Sequence, residues 1–179
     1  MNDRIVPQIQ DEISSHDQTP EAIFPLLMRA VGENLNCDRV FLYLRHPQTQ
    51  TGKVPYCWCR KSKYPDVTTV EWKKEPASLA QEDPLFAAAL RAEPSIFIED
   101  VETANPEIVN KDFEAKAFGH RALIHAHLCS DGLLWGVLQP CVFSRPRVWT
   151  YVDRELIAAV TKKITPLAVA YVTAARLQI

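Results

Sequence analysis

The sequence predicts a mixed α/β (α+β) fold in which helices pack against an antiparallel sheet. Three observations lead to this prediction. Short runs rich in Val, Phe, Tyr and Trp are interleaved with segments of helical periodicity. The pair Asp131-Gly132 separates two apolar runs, which is typical of a tight hairpin between antiparallel strands. Helical segments also lie near both ends of the chain, where they can cover a sheet.

The N-terminal half is predicted to form one helix and two paired strands. Thr19 suits the cap position of a helix over roughly residues 20–36, where apolar residues recur at helical spacing. The runs at 38–44 and 54–60 predict two strands that pair antiparallel across a polar loop. Residues 61–81 show little periodicity and predict a long loop or a short edge strand.

The C-terminal half is predicted to alternate between helices and strands. Prolines that follow Asp83 and Asn105 mark the starts of two short helices, with a strand at 95–100 between them. Gly119 suits the end of the second helix. After the hairpin, Thr150 is the predicted cap of a long final helix. The apolar residues of that helix recur at intervals of three and four: Ile157, Val160, Ile164, Leu167, Tyr171 and Ala174.

Length and composition limit the classes of protein to consider. A chain of 179 residues suits one domain, predicted over 20–179 with residues 1–19 as an N-terminal extension. The formal charge of −2, from 20 basic and 22 acidic residues spread along the chain, provides no basic surface for nucleic acid. We find no secretory signal and no apolar run of membrane-spanning length, and five irregularly spaced cysteines suit a reducing compartment. A cytoplasmic protein without a membrane contact is therefore expected.

Four short motifs occur in order along the chain. They are Glu99-Asp100-Val101, Arg121-Ala122, Leu134-Trp135-Gly136-Val137-Leu138 and Pro146-Arg147-Val148-Trp149. Together, over about residues 20–176, they resemble the GAF domain, and in particular the bilin-binding GAF domains of cyanobacterial photoreceptors and phytochromes. The resemblance implies an antiparallel sheet with the terminal helices on one face. It also implies a cytoplasmic signalling module of cyanobacterial type.

The resemblance further implies where a chromophore would attach. Relatives that bind bilin carry a Cys-His pair eleven residues ahead of the arginine that corresponds to Arg121, and this sequence has Asn110-Lys111 there. A second histidine of the family falls on Cys141. Because neither asparagine nor lysine can form the thioether, a covalently bound bilin is not expected at this position. Another thiol would have to replace it, and the candidates are Cys57, Cys59 and Cys129.

One predicted strand carries the candidate ligand contacts. Arg121, Leu123, His125 and His127 alternate onto one of its faces, and the resemblance implies that this face looks toward the ligand. An arginine with two histidines could hold a carboxylate or a phosphate. The alternative is that both histidines are satisfied, half-buried residues beneath a loop. A metal site is not predicted, because two histidines on a strand need a third ligand.

Cys141 joins these candidates in one of two possible hairpin registers. A two-residue turn at Asp131-Gly132 sets Cys141 opposite Ala122, on the other side of the sheet from His125. A three-residue turn shifts the pairing by one residue and sets Cys141 opposite Arg121, on the histidine side. The sequence leaves both registers open.

The predicted function is that of a stand-alone sensory or regulatory module which binds a small molecule or a protein partner. Trp58 and Trp72 could wall the ligand pocket, although core packing is the commoner role of tryptophan. The first alternative is a structural or adaptor protein whose pocket has collapsed. The second is a free methionine-(R)-sulfoxide reductase, but the Gly- and Cys-rich loop of those GAF enzymes is not found. No motif for catalysis is recognised either, so an enzyme is not expected.

A homodimer through the terminal helices is also predicted. The final helix carries apolar residues outside its main stripe, and a helix that covered only its own sheet would need one stripe. A two-fold interface would bury the additional residues on both copies. The N-terminal extension could continue this surface through Ile5, Val6, Ile9 and Ile13. The alternative is that the first helix of the same chain covers the second stripe.

Overall fold

An antiparallel sheet of six strands organises the chain, of which the structure, a computed structural model, describes residues 19–175. The helices are α1 (Pro20–Asn34), α2 (Leu79–Glu82), α3 (Pro84–Leu90), α4 (Lys111–Ala117) and α5 (Tyr151–Ala174). The strands are β1 (Arg39–His46), β2 (Thr51–Cys59), β3 (Lys73–Lys74), β4 (Ile96–Ile98), β5 (Ala122–Ser130) and β6 (Leu133–Val142). Neighbouring strands are antiparallel and follow the order β3-β2-β1-β6-β5-β4. The predicted fold class is confirmed.

Helices α1 and α5 cover one face of the sheet and contact each other. Along α5, buried side chains recur every three or four residues and form one stripe: Ile157, Val160, Ile164, Ala168 and Val172. The second half of the predicted stripe is wrong, because Leu167 and Tyr171 are half-buried and Ala174 is exposed. Alternate residues of β1 and β5 meet the buried stripe: Val40, Leu42, Leu44, Ala122, Ile124, Ala126 and Leu128. The terminal helices therefore share one face, as the resemblance implied.

The opposite face of the sheet lies beneath α3 and α4. Because side chains alternate along a strand, Phe41 and Tyr43 of β1 point away from the terminal helices, as do Leu123 and His125 of β5. The N-terminal end of α3 packs Leu85 against Leu123. This face carries polar and aromatic groups, whereas the helix-covered face is almost wholly apolar.

The hairpin between β5 and β6 turns in two residues. Asp131 and Gly132 have φ angles of 53° and 73°, and Ser130 pairs with Leu133. Two consecutive residues with positive φ match the twist of the flanking strands, which explains why Asp-Gly serves here. The turn alone would place Cys141 on the face covered by the terminal helices.

A β-bulge at Trp135 changes that register. Cys129 pairs with Leu134, but the preceding residue, Leu128, pairs with Gly136, so Trp135 is an extra residue in β6. Every pair beyond the bulge is shifted by one residue. A polar turn sequence contains no signal for a bulge that lies in the strand itself.

Cys141 consequently lies opposite Leu123. The pairing with Ala122 and the pairing with Arg121, which the two turn lengths predict, are both wrong. The longer turn nevertheless predicts the observed face. Its partner Arg121 and the observed partner Leu123 are two residues apart in the chain, so both positions lie on the same side of the strand. Cys141 thus shares the sheet face of His125.

The second short helix begins later than its proline indicates. The chain from Asn105 makes one turn, in which the Asn105 carbonyl oxygen accepts from the Val109 backbone N–H at 3.0 Å. Helix α4 then starts at Lys111, and the side-chain oxygen of Asn110 caps it by accepting from the Phe113 N–H at 3.2 Å. Gly119, with φ of 71°, follows its end as predicted.

Helix α5 begins with a capping box. Thr150 accepts from the Asp153 backbone N–H, and the Asp153 carboxylate accepts from the Thr150 N–H at 2.9 Å. Among residues 19–175, this helix has the length and apolar composition that a membrane span would need. Core helices of globular proteins have them as well, and α5 packs along the sheet.

Candidate functional site

A cavity of about 250 Å³ lies on the sheet face that α1 and α5 leave free. Strands β1 and β6 form its floor, and α3, α4 and the segment around β3 form its walls. The lining side chains include Phe41, Tyr43, Val54, Glu75, Leu79, Asp83, Phe86, Phe113, Phe118, His125, Val137 and Gln139. The lining is mainly apolar with a few polar groups, which is the usual character of a small-molecule site.

Aromatic rings line opposite sides of the cavity. Phe41 of β1 stacks on Phe118, which follows α4, with ring centroids 5.6 Å apart, and Phe113 meets Phe118 edge-on at 6.3 Å. On the other side Tyr43 meets Phe86 of α3 edge-on at 6.4 Å. The cavity is therefore lined by aromatic rings that pack against one another face-to-face or edge-on.

The acidic group at the rim is already neutralised. Glu75 accepts from the Arg45 guanidinium at 2.8 Å and from the Tyr43 hydroxyl at 2.6 Å. Burial, and then the hydrogen bond to Glu75, raises the pKa of Tyr43 well above its ordinary value, so the phenol keeps its proton. The Glu75 carboxylate is therefore both charge-paired with Arg45 and hydrogen-bonded to Tyr43.

Gln139 presents an unpaired polar group to the cavity. Its side chain lies in the middle of β6, the residue is 3 % exposed, and Nε2 has no hydrogen-bond partner among residues 19–175. A buried amide without a partner costs about 1–3 kcal/mol in the folded state. The Gln139 amide therefore has an N–H available for an acceptor inside the cavity.

Two histidines of β5 are hydrogen-bonded to each other. His125 lines the cavity, and its Nδ1 lies 2.9 Å from Nε2 of His127. Nδ1 of His127 lies 2.7 Å from the backbone carbonyl oxygen of Glu93. Burial lowers the pKa of both rings, most strongly that of His125, so both are neutral at physiological pH.

A buried acid–histidine cluster borders the cavity near α4. His120 Nε2 lies 2.5 Å from a Glu114 carboxylate oxygen, and both side chains are buried. Burial alone would lower the pKa of His120. The neighbouring Cys141 and Glu114 outweigh this effect and raise the pKa to about 9. The ring nitrogen Nδ1 of His120 has no hydrogen-bond partner among residues 19–175. Asp83 caps α3 nearby, and burial, followed by the Glu114 charge, raises its pKa to about 6.

Arg121 does not join the histidines. It precedes β5, its side chain is 37 % exposed, and its guanidinium binds the Asp100 carboxylate through two hydrogen bonds. Leu123 and Cys141 lie on the histidine face but pack against α3 beside the cavity. Of the strand residues predicted to contact a ligand, the structure places His125 in the lining of this cavity, and His127 is hydrogen-bonded to it.

Both predicted tryptophans lie on the side of the sheet that the terminal helices cover. Trp58 packs so closely on α1 that a Cβ at Gly32 would overlap its ring. Trp72 packs against the same core, with the Lys53 ammonium 5.1 Å from its ring centroid. Neither tryptophan lines the cavity. Trp58 pairs with Val40, the neighbour of Phe41 in β1, and successive residues of a strand point to opposite faces, so Trp58 points away from the cavity.

The positions that the resemblance assigns to chromophore attachment have structural partners. Asn110 caps α4 and donates from Nδ2 to the Glu82 carbonyl oxygen at 2.8 Å, which joins α4 to the end of α2. Lys111 lies 3.3 Å from Glu102. Within residues 19–175, no three metal-ligating side chains lie close enough to hold a metal ion.

Several residues of the cavity were not identified from the sequence. Phe41 and Tyr43 alternate along β1, and that alternation was a usable signal for a second buried face. Gln139 is the polar residue within an apolar strand, which is a signal for a buried polar contact. Phe86 and Phe118 gave no such signal, because their positions depend on how α3 and α4 pack.

Comparisons with known proteins agree with this architecture. The family model described as GAF domain matches residues 19–165. No curated protein sequence matches the chain. One similar solved structure is the far-red absorbing dark state of JSC1_58120g3 with bound biliverdin, with 14 % identity, a TM-score of 0.72, and coverage of 96 % of this chain and 99 % of that one.

Two further solved structures come from different kinds of protein. The GAF domain of an Acinetobacter phosphoenolpyruvate-protein phosphotransferase has 10 % identity and a TM-score of 0.71, with 97 % and 96 % of the two chains covered. The phycocyanobilin-bound GAF domain of a cyanobacterial phytochrome has 22 % identity and a TM-score of 0.68, with 94 % and 92 % covered. At these identities the likeness establishes the fold. Since the family model covers most of the chain, this protein belongs to the GAF domain family.

Proposed function

We propose that this chain is a sensory or regulatory GAF module that binds a neutral small molecule, without a covalent bond, in the cavity over β1 and β6. The observation that carries the proposal is the unpaired Gln139 amide in an aromatic-walled cavity. A protein that had lost its ligand would gain by replacing this glutamine with an apolar residue, because a buried unpaired amide is unfavourable. The buried, unpaired amide thus supports a ligand over a collapsed pocket.

The volume of the cavity supports a ligand of one or two rings. Sites for drug-sized ligands occupy about 300–1,000 Å³, and this cavity has about 250 Å³. A linear tetrapyrrole such as the bilins of the solved relatives is larger than one or two rings. Together with Asn110-Lys111 at the expected attachment position, this supports a module without bilin.

The charges around the cavity support a neutral ligand. Glu75 is paired with Arg45, and the Asp83 carboxylate accepts from two backbone N–H groups of α3. His125 is neutral for the reason given above. Lys73 and Lys74 at the rim are solvent-exposed, so a cation there is well hydrated and contributes little to binding.

The reductase alternative has little support from the cysteines. None of the residues that line the cavity is a cysteine. A reductase needs a thiol of low pKa, whereas burial raises the pKa of Cys57 to about 12 and also raises that of Cys59 and Cys129. A binding module therefore fits the site better than an enzyme.

We also propose that the module acts in the cytoplasm as a homodimer through its terminal helices. On α5, Val152 and Ala170 are exposed outside the buried stripe, and Ala159 and Val169 are half-buried. Leu167 and Tyr171, which belong to the predicted stripe, are half-buried against the core, and Tyr171 meets Phe24 of α1 edge-on at 6.1 Å. The remaining surface consists mostly of small apolar side chains, which allow a second helix to approach closely. Ile5, Val6, Ile9 and Ile13 lie outside the described residues.

Native mass spectrometry of protein purified from the organism that makes it tests the ligand proposal. We expect a mass offset in the wild type and in the control Gln81→Met, which changes an exposed glutamine of α2. In Gln139→Met we expect the retained fraction to fall about tenfold, the effect of one lost hydrogen bond. A wild-type mass equal to that of the chain alone would overturn the proposal.

A further inference from the structure

The hydrogen-bonded histidines fix the position of one proton at the cavity wall. A carbonyl oxygen can only accept, so the Glu93 carbonyl requires that Nδ1 of His127 carries a proton. In the neutral ring, Nε2 of His127 is then an acceptor. Nδ1 of His125, 2.9 Å away, must therefore carry a proton and donate to it.

The remaining nitrogen of His125 is consequently an acceptor. The neutral ring has its proton on Nδ1, so Nε2 carries a lone pair and can only accept. The neutral state itself follows from burial of the ring on the sheet, which lowers its pKa, and from the nearby His127 and His120. The backbone at Glu93 thus determines what His125 offers to a ligand.

A donor lies beside this acceptor. Ala126 of β5 pairs with Leu138 of β6, and His125 and Gln139 each lie one residue from that pair, on adjoining strands and on the cavity face. Side chains at such cross-strand positions have Cβ atoms about 5 Å apart. His125 and Gln139 therefore line the cavity from adjoining strands, one with a lone pair on Nε2 and the other with an N–H on its amide.

We propose that the cavity selects a flat, neutral cyclic amide. Its ring N–H donates to Nε2 of His125, its adjacent carbonyl oxygen accepts from Nε2 of Gln139, and its ring packs against Phe41. This inference deepens the proposed function and rests on it. His127 acts as a positioning residue, because it reaches the ligand only through the tautomer of His125.

The same arrangement disfavours anions. A carboxylate or phosphate would place its lone pairs against the lone pair of His125 and near the acceptor oxygens of Asp83. Arg121, which could have compensated, is bound to Asp100 outside the cavity. The ligand class is therefore different from the carboxylate or phosphate that an arginine with two histidines predicts.

Nitrogen-15 NMR of histidine-labelled protein tests the tautomer directly. We expect the Nδ1–H form for both His125 and His127, read from the shifts of the protonated and unprotonated ring nitrogens. Assignment uses His125→Gln and His127→Phe. An Nε2–H tautomer, or a protonated ring, at His125 near neutral pH would overturn the inference, whatever ligand the protein binds.

Three probes test the selectivity. The probe 2-quinolone has the cyclic amide, N-methyl-2-quinolone lacks its donor, and quinoline-2-carboxylate replaces the amide with an anion. By ligand-observed NMR titration we expect 2-quinolone to bind at least tenfold more tightly than either of the others. In His127→Phe the preference over the N-methyl probe should fall, because His125 is then free to adopt the Nε2–H tautomer, which cannot accept from the ring N–H of the ligand.

The outcomes separate this inference from the proposed function. Equal binding of 2-quinolone and the N-methyl probe, or tighter binding of the carboxylate, would overturn the inference and leave the binding site standing. Binding of none of the three would also overturn it. The mass offset of the protein from its own organism then decides independently whether the site binds a ligand at all.

Discussion

Arg121 and Asp100 form a bidentate ion pair, in which Nε of the guanidinium donates to Oδ1 and Nη2 donates to Oδ2 at 2.9 Å. The Arg121 carbonyl oxygen also accepts from the Val101 backbone N–H at 2.7 Å. These contacts join the start of β5 to the chain that leaves the edge strand β4. Two motifs that identify the family by sequence thus meet in space as a structural junction, away from the cavity.

Replacement of Arg121 is therefore expected to affect stability and not ligand binding. Arg121→Gln should lower the thermal midpoint slightly, because a partly solvated pair is weakened, and should leave the affinity for 2-quinolone within error of wild type. Asp100→Asn should have the same effect, and the double variant should be no worse than either single one. A tenfold loss of probe affinity in Arg121→Gln would show that the arginine does reach the ligand.

Co-expression with a bilin-producing pathway is expected to yield colourless protein. Asn110 and Lys111 cannot form the thioether, and the Cys141 thiol is buried against Leu123 and Leu85. Absorbance spectra of the purified protein and zinc-dependent fluorescence on a denaturing gel provide the measurement. A fluorescent band at the mass of the chain would contradict the prediction, and Cys57→Ser, Cys59→Ser and Cys129→Ser would then locate the attachment.

His120, whose pKa is raised by Cys141 and Glu114 against the effect of burial, predicts a loss of stability at alkaline pH. The pKa of His120 is raised in the folded state to about 9 from an ordinary value of 6.5. Between these values the folded protein binds more protons than the unfolded chain, so the free energy of unfolding falls as the pH rises from 6.5 to 9. The contribution is complete below 6.5 and lost above 9.

Urea unfolding at several pH values measures this effect. His120→Gln should be less stable at pH 6.5 and should lose the dependence between 6.5 and 9, whereas wild type keeps it. Asp83, whose pKa is raised to about 6, acts at lower pH: its contribution to the free energy of unfolding decreases as the pH rises from about 4 to about 6. An unchanged alkaline slope in His120→Gln would assign the dependence to other groups.

Gly136 is expected to tolerate no side chain. A Cβ at this position would lie 2.5 Å from the backbone carbonyl oxygen of Tyr43 on the paired strand, which cannot move without breaking the sheet. Gly136→Ala should therefore lower the free energy of unfolding by about 1–3 kcal/mol. Gly132→Asn is the matched control, since open space surrounds Gly132 and asparagine accepts its positive φ. Equal stability of the two variants would show that β1 and β6 are not paired as described.

The proposed dimer can be tested by sedimentation equilibrium at micromolar concentration. We expect a mass near twice 20.3 kDa. Ala170→Lys, on the exposed side of α5, should shift the equilibrium toward the monomer, because a charge would be buried at the interface. Thr68→Lys, in an exposed loop, should leave it unchanged. A wild-type mass of one chain at high concentration would exclude the dimer.

The sequence by itself determined the local features of this protein. Thr150 begins α5, Asp131-Gly132 forms a two-residue turn, and Gly119 follows the end of α4. Each depends on backbone preferences within a few residues, which the sequence states directly. The family motifs were recognisable for the same reason, because their short patterns are contiguous.

Only the tertiary structure decided which of these pieces form a site. The bulge at Trp135 set the face on which Cys141 lies, and the pairing of Trp58 with Val40 placed Trp58 on the face that α1 covers, away from the cavity. The tautomer of His125 depends on a carbonyl oxygen at Glu93, 34 residues before His127. Alternation along a strand tells which residues share a face, but register, the covering helix and distant hydrogen-bond partners are set by contacts between segments far apart in the chain, which no local pattern encodes.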